Sequence, residues 1–184
     1  MLWIILIIVV LLILFIISVY NSLVTLRQRV KNAFGQMDVQ LKRRFDLIPN
    51  LVETVKGYMT HESDTLAKVT ELRTAWAGAK TVDEKAKLDN ELSNTLKTIM
   101  AGGGGYPEFK ANQNFESLQN ELTETEDKIS YSRQFYNDTV TRYNTKLELF
   151  PSNIIAGMFH FTAESLFEVD SAEARKNVKV DFNK

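Results

Sequence analysis

The chain has 184 residues, with 22 Lys and Arg against 23 Asp and Glu, a formal charge of −1 and no cysteine. Near-neutral charge removes the electrostatic support that extended nucleic-acid binding needs, so no nucleic-acid partner is expected. The missing cysteine excludes disulfides, thiolate zinc sites and cysteine nucleophiles, and only 3 prolines and 8 glycines leave room for a few long helices.

No Lys, Arg, Asp or Glu occurs before Arg27. Leu2 to Val19 is aliphatic apart from Trp3, Phe15 and Ser18; at ~1.5 Å per residue it makes a helix of roughly 27 Å, against a hydrocarbon thickness of ~30 Å. Its Leu, Ile, Val and Phe residues favour insertion by about 0.3–0.6 kcal/mol each, roughly 5–10 kcal/mol together. A cleaved signal peptide would start with basic residues and end at a small-residue site. Nothing basic precedes this run, and Ser18–Ser22 is a poor match to that site, so residues 1–21 are expected to remain as an anchor. Trp3 and Tyr20 suit the two headgroup belts. Arg27, Arg29 and Lys31 follow the span directly, which by the positive-inside rule places the N-terminus outside and the rest in the cytoplasm. These three are candidate lipid-headgroup contacts, each worth about 1 kcal/mol near anionic lipid.

Beyond the span, Val30, Phe34, Met37, Leu41, Phe45, Ile48, Val52, Val55, Met59, Leu66, Val69 and Trp76 recur at steps of three and four, with Glu62 and Arg73 in the weaker slots. That is a helical stripe. Pro49 lies within it, yet the phase holds from Leu41 to Met59, which points to a kink; the alternative is a helix restarted with Asp46 as cap. Gly78–Lys80 reads as a connection. Thr81 and Glu84 have the spacing of a capping box, and Leu88, Leu92, Leu96 and Ile99 line the helix that follows. Gly102–Gly105 reads as a flexible hinge.

Pro107 suits the first turn of the next helix. Phe115, Leu122, Ile129, Tyr136, Tyr143 and Phe150 then recur every seven residues, joined by Leu118, Val140 and Leu147, which predicts a coiled-coil-like edge of about five heptads. Thr125 and Ser132 narrow its middle, and Glu124 and Lys128 can pair at i, i+4. Phe150–Pro151 stops the helix. Ser152 is expected to cap a short apolar segment with Ile154, Ile155, Met158, Phe159 and Phe161, and Val178, Val180 and Phe182 alternate like a strand. The fold class is therefore all-α: a single N-terminal transmembrane helix (1–21), a long antiparallel helical bundle with coiled-coil-like packing (22–150, hinge at 102–105), and a short apolar segment with an extended tail (151–184). The two principal helices are expected to run roughly 60–75 Å.

Tyr20–Val24, Met37–Arg44 and Asp46–Tyr58, followed by His61-Glu62, Tyr106-Pro107, Asn114-Phe115, Tyr136-Asn137, Tyr143-Asn144 and Phe150–Asn153, resemble the LemA family over nearly the whole chain. The resemblance implies a bacterial protein with one N-terminal span, a cytoplasmic helical bundle at the inner membrane, and no established enzymatic activity. The chain departs from the family pattern at Gly102–Gly105 and at Met158-Phe159-His160-Phe161, where a Gly-Phe pair is more typical.

The residues offer little for catalysis. His61-Glu62 lacks the second histidine of a zinc-protease helix, Gly102–Gly105 lacks the Lys-Ser/Thr of a phosphate loop, and no serine has a G-x-S-x-G setting. His160, among aromatics, reads as packed or interfacial. No enzyme activity, cofactor or metal is expected. The best candidate surface is a polar interface of Gln40, Lys42, Arg43, Arg44, Asp46, Asn50 and Glu53; the plainer reading of the same residues is local pairing, for example Arg43 with Asp46 and Asn50. The expected function is a non-catalytic scaffold that self-associates as a homo-oligomer on the lipid bilayer and organises membrane or partner proteins. The alternatives are a signal-relaying module that regulates an unidentified membrane or cytoplasmic partner and, behind it, an enzyme or ligand-binding protein.

Overall fold

A computed structural model describes residues 1–56, 63–102 and 112–168. Six helices occur among them: α1 (Leu2–Asp46), α2 (Ile48–Lys56), α3 (Ser63–Gly78), α4 (Val82–Gly102), α5 (Gln113–Glu148) and α6 (Ser152–Met158). No strand occurs among the described residues, and the fold is all-α. Met59, His61, Glu62, Gly103–Gly105, Pro107 and the alternating tail Val178, Val180 and Phe182 lie outside the described residues.

The long stripe forms as three helices rather than one. α1 ends at Asp46, Leu47 interrupts it, and Pro49 falls in the first turn of α2, where its missing N–H costs nothing. Leu47 still accepts a 3.1 Å hydrogen bond from the Leu51 N–H, so the apolar phase survives the break. In α3 the slot assigned to Arg73 is filled by its neighbour Leu72, which is buried. The last long helix is described from Gln113, where the Asn112 side chain caps it by accepting from the Asn114 N–H at 2.8 Å. Its 36 residues span about 54 Å, somewhat short of the expected length.

The chain packs as two units. Among the described residues, one comprises Met1–Arg44 with Thr123–Leu166, the other those of Phe45–Leu122 with Phe167 and Glu168.

In the first unit, α1 and α5 run antiparallel. Arg44 meets Glu126, the Phe34 ring lies 5.7 Å from that of Tyr136, and the Arg27 charge reaches Tyr143, so numbering falls on one helix as it rises on the other. Val30, Ala33, Met37 and Leu41 of α1 and Ile129, Tyr136, Val140 and Tyr143 of α5 are buried, and Thr125 is fully buried. The every-seventh positions are thus interior as far as Tyr143. Phe150 is 79% exposed, because the helix has already ended at Glu148.

In the second unit, Phe45, Leu51, Val55, Val69, Leu72, Leu92, Leu96, Ile99, Phe115 and Leu122 form one core. Trp76 stacks on Phe45 at 4.4 Å, and the Lys85 ammonium lies 5.1 Å from the Trp76 ring. The expected capping box opens α4. Glu84 N–H donates to Thr81 Oγ1 at 3.2 Å, while Glu84 Oε2 accepts from the amides of Thr81 at 3.0 Å and Lys80 at 2.8 Å.

Candidate functional site

The seven residues of the expected polar interface divide between the units. Asp46, Asn50 and Glu53 lie in the second and are exposed. Gln40, Lys42, Arg43 and Arg44 lie in the first. Three consecutive cations cannot share one helix face, and here Lys42 and Arg43 are exposed whereas Arg44 is only 4% exposed. Its guanidinium reaches Glu126 on α5 at 3.0 Å. The field of Arg43 acts on Glu124, whose carboxyl is held below its ordinary range chiefly by the hydrogen bond from Lys128. The Glu124–Lys128 pair is the one expected at i, i+4.

One turn before Arg44, the Gln40 side-chain oxygen is buried and has no hydrogen-bond partner. It borders an open groove of about 640 Å³ between α1 and α5, lined by Gln36, Val39, Gln40, Asp127, Lys128, Tyr131 and Ser132. Val39 and Tyr131 are 62% and 76% exposed. Phe135, one turn beyond Tyr131, is also exposed. These outward apolar side chains left no mark in the helical stripe, because they lie off it.

The other end of the first unit carries polar contacts that periodicity could not reveal. After α6 the chain runs as an extended segment along α5. Tyr143 donates its hydroxyl to the Thr162 carbonyl at 3.0 Å and Tyr136 donates to that of Ser165 at 2.8 Å. The Asn144 amide bonds both backbone groups of Glu164, at 2.9 and 3.0 Å, as a neighbouring strand would. Two heptad positions are therefore tyrosines because their rings fill the core while their hydroxyls hold this segment. Burial raises the Tyr143 phenol above its ordinary value, the nearby Arg27 charge opposing and Glu164 adding.

Ser152 does not cap α6. It is the helix's first residue, and its hydroxyl donates to the carbonyls of Lys146 at 2.7 Å and Leu149 at 2.8 Å, closing the end of α5. α6 ends in a Schellman turn: Phe161 N–H bonds Ala156 O at 2.9 Å and His160 N–H bonds Gly157 O at 3.2 Å. His160 occupies the left-handed position, φ 57°, where glycine is usual.

Arg27, Arg29 and Lys31 are all exposed, and the Arg27 guanidinium lies 5.0 Å from the Phe161 ring centroid. Among the described residues no three His, Cys, Asp or Glu side chains gather as a metal site.

A sequence model of the LemA family matches residues 33–182. The chain belongs to the LemA family. It is similar to Protein LemA of Metamycoplasma hominis, at 23% identity over 83% of this chain and 70% of that protein. It is also similar to the magnetosome proteins MamQ 1 and MamQ 2 of Paramagnetospirillum magneticum, each at 23% identity over 81% of this chain. This LemA-family chain spans 64% of the length of the two MamQ proteins. None of these names denotes an enzyme.

Proposed function

We propose that this protein is a membrane-anchored, non-catalytic helical scaffold that self-associates. The observation that carries the reading is α1 itself. It contains an 18-residue window of mean hydropathy 3.6 that is only 6% buried, on a helix that continues without a break into the packed first unit. Side chains such as Leu2, Ile4, Leu11 and Leu14 are more than half exposed, an apolar surface that water does not tolerate and a bilayer covers. With Arg27, Arg29 and Lys31 just beyond, the helical domain belongs on the cytoplasmic side of a bacterial inner membrane. The relatives named for the magnetosome are consistent with work at a membrane.

Self-association is supported by the groove of the first unit. Its exposed Val39 and Tyr131, with Phe135 exposed one turn beyond, stand beside both signs of charge, Asp127 and Lys128, a composition that a second copy of the same surface can match under twofold symmetry. Because the chain has no cysteine, Val39→Cys or Tyr131→Cys gives a single thiol for cross-linking in native membranes. The reading expects a cross-linked dimer at physiological abundance and none from Thr141→Cys, an exposed position farther along α5 and off that face. A protein that stays monomeric in that experiment is not a self-associating scaffold.

A further inference from the structure

We propose that α6 and its flanks form a second membrane contact, seated in the headgroup–acyl boundary beside the end of the α1 span; this rests on α1 being the anchor. Ile155 and Ala156 of α6 are buried in a cluster with Val19 and Leu23 of α1, and Ile16, from the last turns of the apolar run, packs against the same cluster. The Tyr20 ring lies 4.8 Å from that of Phe159 and 5.7 Å from that of Phe161. These contacts fix α6 at the depth of residues 16–23, where the span leaves the hydrocarbon.

At that depth the outward side of α6 is apolar. Ile154 is 54% exposed, Met158 63% and Phe159 48%, and the preceding Leu149 and Phe150 are 55% and 79% exposed. No Asp, Glu, Lys or Arg occurs from Leu149 to Ala163. This surface continues the lipid-facing side of α1, so the bilayer that covers the one covers the other. Arg27, the first basic group of α1, is held beside Phe161 and is placed at the phosphate level.

The test attaches an environment-sensitive fluorophore to single cysteines, Ile154→Cys and Met158→Cys, in the full chain reconstituted in phosphatidylglycerol-containing vesicles. Leu11→Cys is the span control and Gln134→Cys the aqueous control. The expected result is blue-shifted emission at 154 and 158, most of it lost to a quencher carried high on the lipid chain and little to an aqueous quencher. Emission at 154 and 158 that behaves like that at 134, with 11 still quenched by lipid, overturns the proposal while leaving the anchor intact. Sites shielded from water yet not quenched by lipid are covered by protein, which also overturns it. Loss of lipid quenching at 11 removes the anchor reading, and the proposal with it.

Discussion

The guanidinium of Arg44 lies 3.0 Å from the carboxylate of Glu126, with the arginine side chain 5% exposed and the glutamate 47%. One end of this bridge is desolvated and the other is wet. Removing the buried member and removing the exposed one are therefore different experiments. Arg44→Ala leaves a hole as well as an unpaired carboxylate at the surface, and is expected to cost about 2–3 kcal/mol. Glu126→Gln keeps a hydrogen-bond acceptor for the buried guanidinium, on a side chain that is itself half exposed, and is expected to cost about 1 kcal/mol. Arg44→Met with Glu126→Gln replaces the pair by packing and is expected to recover most of the loss. Chemical denaturation of the three variants in detergent checks the order.

The segment after α6 is held by side chains of α5, so its attachment is separable from the helical core. Tyr143→Phe and Tyr136→Phe each remove one hydrogen bond and are expected to cost about 1 kcal/mol, with faster amide exchange confined to residues 162–168. Asn144→Ala removes two and is expected to release Glu164 most. The raised phenol of Tyr143 gives this attachment a pH sign. Its contribution is complete below the ordinary tyrosine value near 10 and is lost as pH rises through the higher folded value. Exchange at 162–168 should accelerate in alkali in the parent and show no such added step in Tyr143→Phe.

The capping box makes the opposite pH prediction. Hydrogen bonds from the Lys80 and Thr81 amides hold the Glu84 carboxyl below its ordinary value of 4.5. A depressed carboxyl contributes fully above its unfolded value, and the contribution disappears as pH falls through the folded one. The difference in melting temperature between parent and Glu84→Gln should be largest above pH 5 and vanish in acid. Thr81→Ala, which removes the hydroxyl acceptor, should cost about 1 kcal/mol at neutral pH.

His160 predicts a stabilising substitution. A side chain at φ 57° costs about 1 kcal/mol that glycine avoids. His160→Gly should raise the melting temperature, while a β-branched residue there should lower it. An unchanged or lower value for the glycine variant would show that the imidazole itself makes a compensating contact.

What the sequence made legible was local. The long apolar N-terminal helix, the capping box at Thr81, the Glu124–Lys128 pair and the buried heptad positions from Phe115 to Tyr143 each follow from the pattern within one helix. The all-α class followed from those same periodicities. The role of Arg44 was not legible: three adjacent cations were read as an outward polar surface or as local pairs, and nothing in their spacing showed that Arg44 turns inward to Glu126 on a distant helix. Contacts between distant segments had no local signature, as with Tyr136 and Ser165. Ser152 misled because a serine ahead of an apolar run caps the following helix more often than it closes the preceding one. The break at Leu47 ranked only as the alternative to a kink, because the stripe keeps its phase on either side of Pro49.

The account depends most directly on α1 being retained as a membrane anchor. Alkaline carbonate extraction of cell membranes, followed by intact mass measurement of the recovered protein, tests that in one preparation. The prediction is a chain that stays with the membrane pellet and keeps Met1–Leu26. A full-length chain released to the supernatant, or a mature chain trimmed between Ser18 and Ser22 and found free of the membrane, would contradict it.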